Sequence, residues 1–177
     1  MQKVERNLIG VFGGSFDPPH AGHLKISLSS IKFLKLKSIY WLVTKKNPFK
    51  DRAYFSLNER VKRCKKIIKK NRKIKIKYLE DDVGSSRTAD IVKYLIKKEK
   101  KSKFFLILGS DNLIYFHKWK NWRYLAKKCQ LVVFSRTGFD KKARKSAIVK
   151  FLKKNNIIFI KNKKIDISSS KIRKNIF

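Results

Sequence analysis

Residues 8–24 read LIGVFGGSFDPPHAGHL, and this stretch carries the strongest structural signal in the chain. It begins with a short apolar run, residues 8–12, of the kind that forms a buried strand. The glycines that follow permit a tight turn and a close approach of the backbone to a ligand. Residues 23–36 then carry apolar side chains at helical spacing. A strand, a glycine-rich loop and a helix in this order predict a phosphate site at the amino end of the helix.

Two histidines, His20 and His23, lie three residues apart at the start of this predicted helix. At that spacing both rings can face the same ligand. Imidazole N–H groups there would stabilise charge that builds on a phosphoryl oxygen, and the hydroxyl of Ser15 adds a further donor. The alternatives are a structural glycine turn or a histidine pair that binds a metal. No third ligand has suitable local spacing, so we predict no metal site made by the protein.

The rest of the chain alternates predicted strands with predicted helices. Strands are expected over residues 38–43, 74–78, 104–108, 131–134 and 157–160, and helices over residues 56–70, 88–100, 142–154 and 168–174. Strands separated by helices predict an α/β fold: a Rossmann-like, doubly wound parallel sheet with helices on both faces. No repeat or linker interrupts the pattern, so we expect one domain over residues 1–177. In such open sheets ligands bind at the carboxyl ends of the strands.

Length and composition are those of a globular protein. The 177 residues are 42% hydrophobic and 12% aromatic, which argues against a disordered chain. No apolar run approaches the roughly 20 residues of a membrane helix, and the apolar stretch near the amino terminus is too short for a signal peptide. We therefore expect a cytoplasmic protein with no membrane partner. The cysteines, Cys64 and Cys129, lack metal-site spacing and are expected to pack in the interior.

The formal net charge of +35 is extreme for a chain of this length. It fits a polyanion partner such as nucleic acid, or else a lysine-rich composition spread over solvated surfaces. Lysines lie along the whole chain without a single basic block, so we favour the second explanation and expect no specific nucleic-acid partner. Under either explanation the electric field attracts anionic substrates, and repulsion between like charges opposes folding.

The stretch GGSFDPPHAGHL resembles the first signature of the nucleotidyltransferase superfamily, Gly-x-Phe-x-Pro-x-His-x-Gly-His. Residues 167–173, ISSSKIR, are similar to its second signature, Ile-Ser-Ser-Thr-x-Ile-Arg. Within the superfamily the chain resembles bacterial nicotinate-nucleotide adenylyltransferases over nearly its whole length. The resemblance implies transfer of AMP from ATP to nicotinate mononucleotide, which gives deamido-NAD and pyrophosphate. It also implies Mg²⁺ as the cofactor, bound mainly through the ATP phosphates.

The same resemblance assigns roles to individual residues. Those expected to bind ATP are Gly13, Gly14, Ser15, Phe16, His20, His23, Gly109, Asp111, Ser168, Ser169, Ser170 and Arg173. Those expected to bind nicotinate mononucleotide are Lys50, Thr88, Trp119 and Arg136. Those expected to take part in catalysis are His20, His23, Ser15 and Arg173. Several have plainer alternatives: Ser168 and Asp111 would only cap helices, and Trp119 would only pack in the core.

The resemblance leaves two rival functions and some departures. The alternative enzyme is a pantetheine-phosphate adenylyltransferase, but Gly13 and His20 stand at positions where that family usually has other residues, so they favour nicotinate mononucleotide. A basic nucleic-acid-binding protein with a relic site is the alternative of another class, and the intact signatures argue against it. The histidine that the family often carries after its second strand is absent from residues 44–50, where Lys50 remains. The choice between nicotinate and nicotinamide mononucleotide stays open, as does self-association.

Overall fold

The computed structural model describes residues 7–45, 53–69, 71–152, 156–161 and 167–174. The strands are β1 (Asn7–Gly14), β2 (Ser38–Val43), β3 (Ile74–Lys77), β4 (Ser102–Gly109), β5 (Cys129–Phe134) and β6 (Ile157–Ile160). The α-helices are α1 (Ala21–Leu34), α2 (Leu57–Ile68), α3 (Glu80–Val83), α4 (Thr88–Lys98), α5 (Ser110–Tyr115), α6 (Trp122–Lys128), α7 (Asp140–Arg144), α8 (Ala147–Leu152) and α9 (Ser169–Lys174). A 3₁₀ turn, Phe116–Lys118, follows α5. Within these described ranges, no helix is long and apolar enough to cross a membrane.

The six strands form one parallel sheet in the order β3-β2-β1-β4-β5-β6. The chain first builds outward from β1 to β3, then returns to the other side of β1 and adds β4, β5 and β6. The predicted α/β fold, a Rossmann-like parallel sheet, is confirmed. At the point where the strand order reverses, the loops after β1 and β4 diverge and leave a crevice for a ligand.

Helices cover both faces of the sheet, and each face has its own apolar core. On one face α1 and α2 pack over a cluster that includes Phe12 and Trp41. On the other face α4, α5 and α6 pack over a cluster that includes Val11 and Leu106. Successive side chains of a strand point to opposite faces, which is why β1 contributes Val11 to one core and Phe12 to the other. Burial on both faces accounts for the apolar sequences of β2 and β4.

Gly10, in the middle of β1, is required by close packing. A Cβ atom there would lie 2.8 Å from Leu36, and 3.0 Å from both Ile39 and Ile107. A glycine therefore lets the turn after α1 close onto β1. The close packing at Gly10 thus sets the position of β1, and with it the position of the glycine-rich loop, relative to α1.

The predicted strands and most of the predicted helices are confirmed, with ends that differ by no more than two residues. The single helix predicted over residues 142–154 is wrong, because the chain forms α7 and α8 instead, with a break at Lys145 and Ser146. The Ser146 hydroxyl donates to the carbonyl of Ala143 at 2.7 Å, while its own carbonyl accepts from the amides of Val149 and Lys150. Ser146 thus closes one helix and opens the next, a use of serine that competes with a continuous helix.

Candidate active site

The predicted site residues lie at the carboxyl ends of the central strands. The glycine loop, residues 13–20, follows β1, while Ser110 and Arg136 follow β4 and β5. Hydrogen bonds join neighbouring loops: the Thr44 amide donates to the carbonyl of Gly14 at 3.1 Å, and the Arg136 amide donates to Oγ of Ser110 at 3.0 Å. The loops on each side of the strand switch point are thus joined in pairs, next to the crevice where open α/β sheets bind ligands.

His20 and His23 stack against each other at the start of α1. His20 is the N-cap residue with an extended backbone, and the helix itself begins at Ala21. The ring centroids lie 3.8 Å apart with the planes tilted by 36°. The backbone N–H of His20 donates to Nδ1 of His23 at 3.1 Å. Because Nδ1 is an acceptor, neutral His23 carries its ring proton on Nε2.

Both imidazoles are neutral near pH 7. Burial, with the charges of His20 and Arg136, lowers the pKa of His23 to about 3. Burial and the charge of Arg136 lower the pKa of His20 to about 4. Two neutral rings can form hydrogen bonds with a ligand, but they bring no positive charge to it.

An aromatic cluster supports His23 from behind. Its ring centroid lies 4.9 Å from that of Phe16 and 5.8 Å from that of Phe12. Phe16 stacks on Trp41 at 4.7 Å, and Oγ of Ser27 accepts from Trp41 Nε1 at 2.7 Å while donating to the carbonyl of His23 at 2.9 Å. Phe16 is 1% exposed, so its ring supports the histidines and only its backbone is available to a ligand. The first turn of α1 is thus held in place on its inner side.

The glycine loop leaves open space above the end of β1. A Cβ atom added to Gly13 would have no atom of the described chain within 4 Å, and one added to Gly14 would reach only the ring of Phe16, at 3.4 Å. Ser15 is partly exposed beside them. Exposed loop backbone next to two imidazoles is the arrangement that an approaching phosphate chain needs.

The second signature docks directly on the first. The Ser169 hydroxyl donates to the carbonyl of Pro18 at 2.9 Å. Nη1 of Arg173 donates to the carbonyl of Asp17 and lies 3.7 Å from Oδ2 of the same residue. Two stretches at opposite ends of the sequence therefore meet in one place, as expected for elements that share a ligand.

The remaining serines of the second signature have local roles in α9. Oγ of Ser168 accepts from the Lys171 amide at 3.2 Å, which is the N-cap interaction offered as its plainer role. Oγ of Ser170 accepts from Nη2 of Arg173 at 3.2 Å, and Ser170 is exposed. The hydroxyls thus line the face of α9 that carries Arg173.

Asp111 and Arg136 form an ion pair across the ends of β4 and β5, with Nη1 and Oδ2 2.6 Å apart. Asp111 does not cap α5, whose N-cap is Gly109. Its other oxygen, Oδ1, is buried and has no hydrogen-bond partner among the described residues. A Cβ atom on Gly109 would lie 2.4 Å from that oxygen, so this carboxylate position requires glycine at 109. The ion pair places an unpaired carboxylate oxygen and a guanidinium near the histidines.

The residues predicted to bind nicotinate mononucleotide are more scattered. Arg136 is close enough for its charge to act on both histidines. Trp119 is partly buried and packs against the core. Thr88 is the first residue of α4, and Arg87 is the N-cap residue. Lys50 lies outside the described residues.

Asp17 connects two separate segments of the chain. Its carboxylate accepts from the amides of Tyr54 at 2.8 Å and Phe55 at 2.9 Å. It is 4% exposed, and it joins the glycine loop to the segment that precedes α2. A spacing of 37 residues hides this contact from any local motif.

Arg60 was not predicted as a site residue, yet its guanidinium contacts the glycine loop. It lies on α2, is 1% exposed and donates to the carbonyl of Ser15 at 2.7 Å. One signal for it exists in the sequence, because Arg60 is three residues after Leu57 and four before Cys64. That spacing places it on the apolar face of α2, where an arginine needs buried acceptors.

The similarities to known proteins agree with this geometry. Residues 11–175 match the cytidylyltransferase-like family. A protein of Pelagibacter ubique named "Probable nicotinate-nucleotide adenylyltransferase" is 48% identical over 98% of this chain and 99% of its own length. One of the same name from a Bradyrhizobium species is 40% identical over 72% of this chain and 67% of its own.

A solved structure, Plasmodium falciparum nicotinic acid mononucleotide adenylyltransferase complexed with NaAD, has a TM-score of 0.78 at 23% identity. The match covers 95% of this chain and 83% of that one, and at this identity it supports the fold. With two relatives this similar in sequence, the family is established: the chain belongs to the cytidylyltransferase-like family and, within it, to the nicotinate-nucleotide adenylyltransferases.

Proposed function

We infer that this protein transfers AMP from ATP to nicotinate mononucleotide and releases pyrophosphate, giving deamido-NAD. The observation that carries the inference is the docking of Ser169 and Arg173 on Asp17 and Pro18. It joins the two signatures at the strand switch point, beside the paired histidines. The relatives that match this chain over most of their length bear the name of the same activity.

The reaction requires little proton chemistry. A phosphate oxygen of nicotinate mononucleotide attacks the α-phosphorus of ATP, and a new P–O bond forms while the bond to the bridging oxygen of pyrophosphate breaks. The attacking phosphate is already an anion near pH 7, so no general base is needed. The enzyme's task is to align the two phosphates and to stabilise the charge that develops between them.

The histidines are proposed to stabilise the transition state. The His20 amide occupies Nδ1 of His23, so the ring proton of His23 lies on Nε2 and is directed away from that amide. A fixed N–H donor of this kind needs no reorganisation when charge builds on an oxygen of the α-phosphate. His20 is proposed to act on the bridging oxygen, and the low pKa of both rings is consistent with hydrogen bonding by neutral imidazole.

The leaving pyrophosphate is proposed to bind at α9 and the glycine loop. Ser168, Ser169 and Ser170 offer hydroxyls there, and Arg173 offers a guanidinium with five N–H donors. The contacts of Arg173 with Asp17 and Ser170 orient the group and leave donors for phosphate oxygens. Gly13, Gly14 and the Ser15 hydroxyl are proposed to contact the same phosphate chain, while Gly109 and Asp111 are proposed to contact the adenosine.

The acceptor is proposed to bind at Trp119, Thr88, Arg136 and Lys50. Trp119 would stack on the nicotinate ring, the backbone amide of Thr88 would receive its carboxylate, and Arg136 and Lys50 would hold its phosphate. Arg136 supports this assignment best, because it is exposed and its charge reaches both histidines.

Mg²⁺ is proposed as the cofactor. No cluster of three or more histidine, cysteine, aspartate or glutamate side chains that could hold a metal occurs among the described residues. The Asp17 carboxylate accepts from two backbone amides, and one oxygen of Asp111 accepts from Arg136, so neither is a free carboxylate. The ion would therefore be held by ATP oxygens and water, an arrangement that Mg²⁺ favours, and it would neutralise phosphate charge.

Pyrophosphate release from ATP and Mg²⁺ tests the function directly. Nicotinate mononucleotide, nicotinamide mononucleotide, phosphopantetheine and glycerol phosphate are supplied as acceptors in parallel reactions. The proposal predicts the highest kcat/KM with nicotinate mononucleotide and formation of deamido-NAD. Preference for phosphopantetheine would instead assign the rival adenylyltransferase activity. The absence of release with every acceptor, from a folded protein that binds ATP, would refute adenylyl transfer to any of them.

A further inference from the structure

Arg60 donates hydrogen bonds to four backbone carbonyls. Nε donates to Phe55 at 3.0 Å, Nη1 donates to Ser15 at 2.7 Å and to Thr44 at 2.6 Å, and Nη2 donates to Lys45 at 3.0 Å. Arg60 is 1% exposed, although an arginine is almost never fully buried unless its charge is paired. A planar guanidinium suits this position because it holds several donors in one rigid plane.

The four acceptors come from three separate parts of the chain. Ser15 belongs to the glycine loop after β1, Thr44 and Lys45 follow β2, and Phe55 precedes α2. An arginine that only anchored α2 to the core would not need to contact the glycine loop. Since it does, one side chain sets the separation between the phosphate-binding loop and the loop of the neighbouring strand.

Two carboxylates complete the arrangement. Phe55, whose carbonyl accepts from Arg60, donates its amide to Asp17 at 2.9 Å. Lys45, whose carbonyl accepts from Arg60, donates its amide to Glu80 at 3.2 Å. Each of these residues is therefore held at both its N–H and its C=O. The negative charges of Asp17 and Glu80 also compensate the buried guanidinium.

We propose that Arg60 is a positioning residue for adenylyl transfer: through the Ser15, Thr44 and Lys45 carbonyls it holds the glycine loop at the distance from β2 that the reaction requires. Arg60 contacts no substrate in this role. The inference rests on the proposed function, since the glycine loop is the element assigned to the ATP phosphates. Displacement of a substrate-positioning element by about 1 Å can reduce the rate by about 100-fold.

The variants Arg60→Lys and Arg63→Lys test the proposal as a matched pair. Arg63 lies one turn further along α2, is exposed, and pairs with Glu59 at 2.8 Å. Lysine at 60 keeps the charge but cannot reach all four carbonyls from one ammonium group. We expect Arg60→Lys to lower kcat about 100-fold at temperatures where it is fully folded, with both KM values changed only a few-fold. Arg63→Lys should retain the wild-type kcat.

A purely structural role for Arg60 predicts a different outcome. The melting temperature of Arg60→Lys would fall, but kcat per folded molecule would stay within about three-fold of wild type, less than 1 kcal/mol of activation free energy. That result would overturn the proposal. Guanidinium ion added to Arg60→Ala should restore part of the lost kcat, because it carries the same planar set of N–H donors as the missing side chain. Methylammonium lacks that planar set and should not restore kcat. Equal rescue by both would also contradict the proposal.

A measurement on the wild-type protein covers the case in which the variants do not fold. With ¹⁵N-labelled arginine, the Nε–H of Arg60 should exchange slowly with solvent in the ligand-free enzyme, while that of Arg63 exchanges fast. Equally fast exchange at both would overturn the proposal. Thermal stabilisation by ATP alone is measured without an acceptor, so it tests the role of Arg60 independently of the transfer reaction. If wild type is inactive with nicotinate mononucleotide but is stabilised by ATP, a Kd for ATP that rises a few-fold in folded Arg60→Lys and not in Arg63→Lys still supports a positioning role for Arg60, whereas equal Kd values in all three proteins would overturn it.

Discussion

The backbone N–H of His20 donates to Nδ1 of His23 at 3.1 Å, and this bond determines which nitrogen of His23 can face a ligand. The bond links residues of the first helical turn, so it forms when α1 forms and exists before substrate binds. A proton on Nδ1 would break it, because the nitrogen would become a second donor facing the amide. The active orientation of His23 and its protonation state are thus coupled to the fold.

The first prediction is a loss of stability at mildly acidic pH. The folded pKa values of about 4 for His20 and about 3 for His23 lie below the ordinary value of 6.5. At a pH between the folded and the ordinary pKa values, these histidines bind more protons in the unfolded chain than in the folded one. The free energy of unfolding therefore falls as pH falls below 6.5. Urea unfolding at pH 7 and pH 5 should show a loss of about 2 kcal/mol from the pair, roughly half the full linkage value because His20 is partly exposed.

The double variant His20→Asn, His23→Asn isolates this contribution. Other groups, and the general repulsion of a +35 chain, titrate equally in both proteins. The variant should therefore lose about 2 kcal/mol less than wild type over the same pH interval. If the free energy of unfolding falls equally in the two proteins, the histidines have the same pKa values in the folded and unfolded states. Burial would then not be what keeps them neutral.

The second prediction concerns the charge of the chain. Bound ATP or pyrophosphate should raise the melting temperature through specific binding and through relief of repulsion. At about 100 times Kd, binding at one site contributes about 2.7 kcal/mol, or roughly 5–10 °C for a domain of this size. Differential scanning fluorimetry over a concentration series should show saturation with ATP. A shift that keeps growing and is equal for sulfate would indicate generic screening only.

The third prediction concerns the acceptor. If Trp119 stacks on the nicotinate ring, Trp119→Ala should raise KM for nicotinate mononucleotide about 2- to 12-fold, the equivalent of about 0.5–1.5 kcal/mol. KM for ATP should remain unchanged, and steady-state kinetics measure both. Trp122 is the matched control, since it packs against Phe151 at 5.0 Å on the neighbouring helix. Unchanged kinetics in Trp119→Ala, or equal effects from the two variants, would leave Trp119 as a core residue.

The sequence was most informative where local chemistry and fold agree. The strand, glycine loop and paired histidines of residues 8–24 identify both the central strand and the site, because parallel sheets bind ligands where strands end. The long amphipathic helices were predictable for a similar reason: α2 begins at Ser56, whose Oγ accepts from the Glu59 amide at 3.2 Å as its capping sequence indicates.

The sequence was least informative where a contact spans many residues or an element is short. Helices α3, α5 and α6 have 4, 6 and 7 residues, which is fewer than two helical turns, so their sequences show no repeating apolar pattern and packing decides them rather than propensity. The spacing of Arg60 places it on the apolar face of α2, but the sequence does not show which carbonyls accept from its guanidinium. Asp17 could be assigned only after Tyr54 and Phe55 were placed beside it.

The last prediction tests the proposed role of His23. If its Nε2–H stabilises charge in the transition state, His23→Ala should lower kcat about 10²- to 10³-fold, the usual loss on removing one preorganised donor. KM for ATP should change little, because the interaction strengthens only in the transition state. His117→Ala is the control, since this exposed histidine lies on the 3₁₀ turn and not in the histidine pair. Stopped-assay kinetics on proteins with verified folding measure both constants.

His23→Asn distinguishes hydrogen bonding from proton transfer. An asparagine amide donates a hydrogen bond but cannot act as an acid, so it should recover part of the rate lost in the alanine variant. This recovery is expected because burial keeps the pKa of His23 at about 3, far from the value of a useful acid near pH 7. An asparagine variant as inactive as alanine would mean that the imidazole acts as a charged group once ATP is bound. Full activity in His23→Ala would instead mean that the histidine pair only starts the helix, through the His20 N–H bond and the contact of His23 with Phe16.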